Sequence, residues 1–122
     1  MFFPVSGWFA AFVLTLAIEL PIGAWLLRRA EPDLRRRVAL VGFANLATHP
    51  AVWYVFSQLF LVGTVEYLVA AEGWAIAAEA LFYVVAIRGL GAGRAIVVAL
   101  VTNGASFAVG RIIDLVRPEL FR

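Results

Sequence analysis

Four long apolar stretches, separated by short polar links, dominate the pattern of hydrophobic and polar positions along the chain. They cover residues 5–27, 38–62, 66–87 and 95–116. A helix rises about 1.5 Å per residue, so even the shortest of these stretches can cross a hydrocarbon core of about 30 Å. Backbone groups in such a core must bond within their own segment, which favours helices. The pattern therefore predicts an all-α fold: one transmembrane domain, built as an integral membrane four-helix bundle.

The composition agrees with a membrane protein and excludes several other classes. Hydrophobic residues make up 64% of the 122-residue chain and charged residues 15%, and the mean hydropathy is +0.95. Soluble domains average about half apolar and about a quarter charged residues. An ordinary soluble domain, a disordered chain, a coiled coil and a nucleic-acid binder are therefore excluded. The chain has no cysteine, which excludes disulfides and thiolate chemistry.

The basic residues, all of them arginine, are unevenly distributed between the links. Seven of the ten lie in the first and third links. Basic residues favour the cytoplasmic side of a membrane. We therefore expect these two links in the cytoplasm and both termini on the extracytoplasmic side. Arginine without lysine, among many alanines and leucines, suggests a GC-rich bacterial source and hence the inner membrane. The seven are Arg28, Arg29, Arg35, Arg36, Arg37, Arg88 and Arg94.

An internal repeat relates the first two apolar stretches to the last two. Glu19 in the first stretch and Glu79 in the third each precede an arginine by nine residues. Asn45 in the second stretch opens the motif N-x-A-T, and Asn103 in the fourth opens N-x-A-S. The interval between the two glutamates nearly equals the interval between the two asparagines, which predicts two duplicated helical hairpins. Each hairpin would run out–in–out, and their pseudo-twofold axis would lie along the membrane normal.

A polar layer crosses the predicted bundle at one depth. Each apolar stretch places one strongly polar residue roughly 20 Å from its outer end, at about 1.5 Å per residue. A carboxylate inside a membrane costs about 2.5–3.5 kcal/mol on insertion scales, so these residues should face the bundle interior. Pro50, beside the layer, cannot donate a backbone hydrogen bond and should free a carbonyl there. The layer comprises Glu19, Asn45, Thr48, His49, Glu79, Asn103 and Ser106.

The polar layer indicates a site that binds or translocates a small cation, a proton or a polar solute. Glu19 and Glu79 would be its charge-bearing ligands, His49 a ligand or proton acceptor, and Asn45 and Asn103 the orienting groups. The sequence identifies no cofactor and no definite metal site, although an ion held here would have mainly oxygen ligands. Because a single bundle is small for transport, we expect a homo-oligomer or a larger complex in the bilayer.

Two alternatives remain open at this stage. The polar layer could be a hydrogen-bonded clasp that holds together an accessory or assembly subunit of a larger membrane complex. The chain could instead be an intramembrane enzyme acting on a lipid, with Glu79 and His49 as its acid–base pair, although an enzyme is the less favoured class. Nearer the outer ends of the helices, Glu72 and Arg111 match in depth and are expected to form a structural ion pair.

Overall fold

The computed structural model describes residues 5–121, and every regular element in that range is helical. Four long helices follow one another: α1 (Val5–Leu26), α2 (Leu34–Leu59), α3 (Val65–Ala86) and α4 (Ala92–Val116). A 3₁₀ turn, Pro118–Phe121, follows α4. All four helices are long and apolar enough to cross a membrane. The all-helical class is thereby confirmed, and the four candidate spans indicate a membrane location.

Side-chain caps, rather than hydropathy, set the first residues of two helices. Helix α2 begins at Leu34, four residues before the apolar stretch that predicts it. The cause is Asp33, whose carboxylate accepts the backbone N–H of Arg35 at 2.9 Å. Helix α3 has the same kind of cap, because the Thr64 hydroxyl accepts the N–H of Tyr67 at 3.3 Å. Caps satisfy backbone donors that the helix itself leaves unpaired.

The second half of α2 departs from α-helical geometry immediately after Pro50. Residues Ala51–Phe56 form a wider, π-helical turn. Pro50 has no N–H to donate to the Leu46 carbonyl, and the regular ladder is interrupted at that point. The helix ends at Leu59 because Phe60 has an extended backbone, with φ −133° and ψ 149°. The predicted stretch is therefore three residues too long at this end.

Each helix packs mainly against two neighbours, with small residues at the contacts. Helix α1 contacts α2 and α4, and helix α3 contacts α4 and α2. Large apolar side chains point outward instead; Leu61 and Val85 are both 78% exposed. Small residues let membrane helices approach closely, while lipid solvates the large ones. The buried alanines are Ala24, Ala44, Ala71, Ala75, Ala80, Ala95 and Ala99.

One end of the bundle has a tightly packed apolar interior. The residues of this core lie on the arginine-rich side of the polar layer, and Leu90 lies within the third link itself. Tyr83 and Leu27 are fully buried in it, and Ile87 is 1% exposed. We call this half of the bundle the packed side. Its core comprises Leu27, Val41, Ala44, Ala80, Tyr83, Ile87, Leu90, Ala95, Val98 and Ala99.

Arginines at the start of α2 donate hydrogen bonds to carbonyls at the ends of α1 and α3 on the packed side. Arg37 donates to the main-chain carbonyl of Ala24, near the end of α1. Arg36 donates from Nη2 to the carbonyl of Ala86, the last residue of α3, at 2.9 Å. The last carbonyls of a helix have no partner within it and carry partial negative charge. These arginines therefore stabilise the bundle as well as marking its polar surface.

Candidate functional site

The two carboxyl groups of the polar layer are buried at matching positions in α1 and α3. Glu19 is 0% exposed and Glu79 is 1% exposed. Each is the fifteenth residue of a 22-residue helix. At about 1.5 Å per residue, each lies about 21 Å from the start of its helix and about 10 Å from the end. The layer is therefore nearer to the arginine-rich end of the bundle than to the other end.

Glu19 is held by side chains from two other helices. Asn45 of α2 donates from Nδ2 to Oε2 of Glu19 at 3.0 Å. Ser106 of α4 lies with its Oγ 2.6 Å from the other carboxyl oxygen, Oε1. Both oxygens of this buried group therefore have a polar partner, as burial of a carboxyl group requires.

Glu79 has the corresponding pair of partners, with the two helices exchanged. Asn103 of α4 donates from Nδ2 to Oε2 at 2.7 Å. Thr48 of α2 lies with its Oγ1 3.0 Å from Oε1. Each glutamate thus receives an amide from the helix that follows it in the chain. The hydroxyl partner of Glu19 comes from α4, and that of Glu79 comes from α2.

The two asparagine side chains are fixed because both protons of each amide nitrogen are used. Besides its glutamate, Asn45 donates to the carbonyl of Val41 at 3.1 Å. Asn103 likewise donates to the carbonyl of Ala99 at 2.9 Å. An amide NH₂ has two donor hydrogens. Each asparagine therefore holds its glutamate through a fixed amide group, and the predicted role of orienting groups in a binding site stays a prediction.

His49 lies beside the carboxyl groups but is surrounded by aromatic rings. Its ring centroid is 5.4 Å from that of Phe12, 6.2 Å from Trp53 and 6.3 Å from Trp8. Its Nδ1 atom is buried without a hydrogen-bond partner in the described structure. In the same part of the chain, the hydrogen bonds of Glu79 go to Thr48 and Asn103 rather than to His49. Among the described residues, His49 and Glu79 are therefore not hydrogen-bonded to each other.

A cavity of about 270 Å³ begins at the polar layer and extends away from the packed side. All seven residues of the layer line it. The rest of its wall lies toward the start of α1 and the end of α4, and we call this half of the bundle the open side. Its lining there is Ala11, Leu14, Thr15, Val52, Trp53, Glu72, Ala75, Phe107, Gly110, Arg111 and Asp114.

The outer part of the cavity carries charge in an arrangement that differs from the expected one. Arg111 donates from Nη1 to Asp114 at 3.3 Å, one turn along α4. The predicted ion pair between Arg111 and Glu72 is not formed; Arg111 pairs instead with Asp114, three residues along the same helix face. Glu72 lines the same cavity. Within residues 5–121, the pair in α4 leaves Glu72 without an arginine partner.

Two buried polar residues near the site escape prediction from the sequence. Thr102 is fully buried, and its hydroxyl donates within α4, at 3.0 Å from the carbonyl of Val98. Tyr83 is fully buried one turn beyond Glu79, and its hydroxyl has no partner among the described residues. Thr102 precedes Asn103, and its backbone bond gives it a structural role. Tyr83 gave no signal because its position in the predicted repeat corresponds to Gly23.

The chain thus forms four helices of membrane-spanning length. Two buried carboxyl groups, each hydrogen-bonded to side chains of α2 and α4, lie at the inner end of a cavity. Among residues 5–121, no group of three or more histidine, aspartate or glutamate side chains is placed to hold a metal ion. Comparison of the chain with protein families, with curated proteins and with solved structures yields no match.

Proposed function

We propose that this chain binds a small cation, a proton or a polar solute at the two buried carboxyl groups and serves in its movement across the membrane. The observation that carries this is the convergence of Glu19 and Glu79 on one cavity. A clasp between helices needs only amide and hydroxyl groups. Two carboxyl groups add a large desolvation penalty to such a clasp. Binding of a cation, a proton or a polar solute by the two carboxyl groups would explain why the protein bears this penalty.

The charge along the cavity favours a cation over an anion. Four acidic side chains line it, against one arginine. The arginine is already paired with Asp114. When ionised, Glu72 adds negative potential between the cavity mouth and the two carboxyl groups of the layer. Clefts lined by one sign of charge concentrate ions of the opposite sign.

The size of the cavity favours a small hydrated ion or solute over a bare, fully coordinated metal. Its volume is about 270 Å³. One water occupies about 30 Å³ of liquid, and pockets for drug-sized ligands start at about 300 Å³. The wall also includes Trp53 and Phe107, whose rings suit the apolar part of a small organic cation.

We also propose that the site arose by duplication of a two-helix unit. Helices α1 and α3 both have 22 residues. Along the chain, the interval from the start of α1 to the start of α3 nearly equals the interval from α2 to α4. The hydrogen bonds of Glu19 and Glu79 follow the same correspondence. A pseudo-twofold axis along the membrane normal would then give each copy one carboxyl group of a shared site.

The proposed orientation places the open side outside the cytoplasm. The arginines concentrate at the packed side, which we assign to the cytoplasmic face of a bacterial inner membrane. Solutes would then reach the carboxyl groups from the extracytoplasmic side. Movement to the other side requires opening of the packed core. We expect a homo-oligomer or a larger complex to support that change, because a single four-helix bundle has few other helices against which its own helices could shift.

The test compares wild type with Glu79→Gln in liposomes. Glu66→Gln is the matched control, because Glu66 is exposed at the start of the same helix. Radiolabelled methylammonium, guanidinium and sodium are the probes, with a pH-sensitive dye for protons. We expect uptake of at least one probe by wild type and by Glu66→Gln, and its loss in Glu79→Gln.

Glutamine keeps the shape of the glutamate, so the variant should still fold. Melting curves of the purified proteins verify this. Binding of a probe also raises the melting temperature by mass action. Equal uptake by all three proteins would overturn the proposed site. A folded wild type that moves none of the probes would favour the accessory-subunit alternative, in which the layer is a clasp.

A further inference from the structure

The Thr48 hydroxyl faces two acceptors but has one proton. Its Oγ1 lies 3.0 Å from Oε1 of Glu79 and 3.0 Å from the main-chain carbonyl of Ala44. A hydroxyl can donate one hydrogen bond and accept others. The carbonyl oxygen can only accept. Both contacts are therefore ordinary two-centre hydrogen bonds if Oε1 of Glu79 carries a proton and donates it to Thr48, while Thr48 donates its own proton to Ala44.

The same arrangement occurs at the other carboxyl group. Ser106 Oγ lies 2.6 Å from Oε1 of Glu19 and 3.1 Å from the carbonyl of Asn103. Again one hydroxyl proton faces two acceptors. Again both contacts are hydrogen bonds if the glutamate is a neutral acid. The short contact of 2.6 Å is within the usual range for O–H···O bonds.

The remaining carboxyl oxygens indicate which atom would carry the proton. Oε2 of Glu19 and Oε2 of Glu79 each accept from an asparagine amide nitrogen. An amide nitrogen donates and does not accept. A proton on Oε2 would therefore point at a donor. Oε1 is the position from which the proton has an acceptor.

We infer that this structure is the proton-loaded form of the site, with one proton on Oε1 of Glu19 and one on Oε1 of Glu79, and that positive charge entering the cavity replaces them, one unit of charge for each proton released. The inference rests on the proposed function, since it specifies the ligand exchange at the same site. It assigns two protons to the site, one in each half of the predicted repeat.

The replacement balances without further reactants. The O–H bond of the Glu79 carboxyl breaks, and the proton leaves to water in the cavity. The Thr48 hydroxyl then turns its proton from the Ala44 carbonyl to Oε1. The Ala44 carbonyl keeps its helical bond from the Thr48 N–H. The new carboxylate faces the positive charge that entered. Glu19 and Ser106 undergo the same change in the other half.

Other titratable groups face this exchange from three of the four helices. On α3 these are Glu72, which lines the cavity, and Tyr83, which is buried one turn beyond Glu79. His49 faces it from α2, and Arg111 with Asp114 from α4. In the described part of α1, Glu19 is the only titratable side chain. The test must therefore read the two glutamates individually rather than a total charge.

Infrared spectroscopy of the reconstituted protein reads them individually, because a protonated carboxyl group has a C=O band that a carboxylate lacks. We expect wild type at neutral pH to show protonated-acid bands, of which Glu19→Gln removes one component and Glu79→Gln another. Absence of such bands in wild type, or bands that neither substitution changes, would overturn the inference.

Two valine substitutions test the hydroxyl contact without removing a carboxyl group. Thr48→Val deletes the acceptor of the Glu79 proton, so the component assigned to Glu79 should move to higher frequency at unchanged intensity. Thr102→Val is the matched control, because Thr102 is also buried and its hydroxyl bonds only to backbone carbonyls. Its spectrum should match wild type. Equal shifts in both variants, or none in Thr48→Val, would contradict the assignment.

Proton release separates this inference from the proposed function. Methylammonium or guanidinium is added to the protein in weakly buffered detergent containing a pH indicator. We expect acidification that Glu19→Gln and Glu79→Gln each reduce. Binding without acidification overturns the inference and leaves the proposed function standing. Binding of neither probe, with the acid bands present, overturns the replacement step while the two protons remain where we assign them.

Discussion

The two sides of the polar layer are built from the same four helices, yet one is filled and the other is hollow. On the packed side, Tyr83 and Leu27 are fully buried among the helices. On the open side, Ala75 and Gly110 line a cavity instead. The packed interior is formed by hydrophobic side chains, whereas the cavity lining also includes charged ones. A buried carboxyl group between two such regions has access from one side only.

Helix α2 contributes to this difference through its backbone. Up to Pro50 it is α-helical and supplies Val41 to the packed core. Beyond Pro50 its π-helical turn carries Val52 and Trp53, which line the cavity. A π-helical turn is wider than an α-helical one and displaces the side chains that follow. The change from packed to open therefore coincides with a change in helix geometry.

The largest effect expected from this comparison is in chemical accessibility. The chain has no cysteine, so a single introduced cysteine can be labelled without background. Ala75 on the open side is 5% exposed and lines the cavity, whereas Ala99 on the packed side is fully buried. We expect a small, membrane-impermeant thiol reagent to label Ala75→Cys to completion and to leave Ala99→Cys unlabelled.

Labelling after unfolding in detergent is the control, since both variants must then react fully. Addition of the reagent to one side of the membrane at a time also tests the proposed orientation. Equal labelling of the two folded variants would show that the packed side opens as readily as the other. One-sided access would then be wrong.

The next effect is on stability. Tyr83→Ala removes a large side chain from the packed core and should lower the free energy of unfolding by about 3–5 kcal/mol. Phe107→Ala is the comparison, because Phe107 lines the cavity and is 38% exposed. Its loss leaves no enclosed void and should change stability by about 1 kcal/mol or less. Unfolding in mixed micelles measures both. Equal losses would mean that the open side also contributes a packed core.

The sequence predicts the helices well because the membrane requires long apolar segments. It also predicts the polar layer, since the cost of burying Glu19 and Glu79 forces them inward. All seven predicted site residues line the cavity. The exchange of hydroxyl partners between the two halves could not be derived from the sequence. It depends on which helices are neighbours. Short links predict that consecutive helices pack together, but they do not predict the contact between α1 and α4.

Other features of the structure depend on contacts that no pattern shows. Asp33 extends α2 into a charged region because its cap satisfies a backbone donor. Arg111 pairs with Asp114 rather than Glu72. Depth alone cannot distinguish these two partners, because the choice depends on the side-chain rotamer of Arg111 and on the helix face that each acid occupies. The packed core around Tyr83 depends on a complementary space on the facing helices. Hydropathy gives the depth of a residue but not the volume available to it.

The smallest effect is at Gly23, whose neighbours leave no room for a side chain. A Cβ added to Gly23 would lie 2.9 Å from Cγ2 of Val41, on the packed side. Gly23→Ala should therefore destabilise the bundle by about 1–3 kcal/mol. Gly104→Ala is the matched control, because nothing lies within 4 Å of its added Cβ. That change should be neutral, or stabilising by up to about 1 kcal/mol through helix propensity.

A double-mutant cycle then decides whether the clash itself is responsible. Val41→Ala removes the contacting methyl groups, so Gly23→Ala should cost less in that background than in wild type. If the two changes were additive, α1 and α2 would not meet at Gly23 as closely as the structure shows. The volume argument for the packed side would then lose its tightest contact. A restored stability would mean that residue volume, rather than hydropathy, closes this side of the bundle beneath the two carboxyl groups.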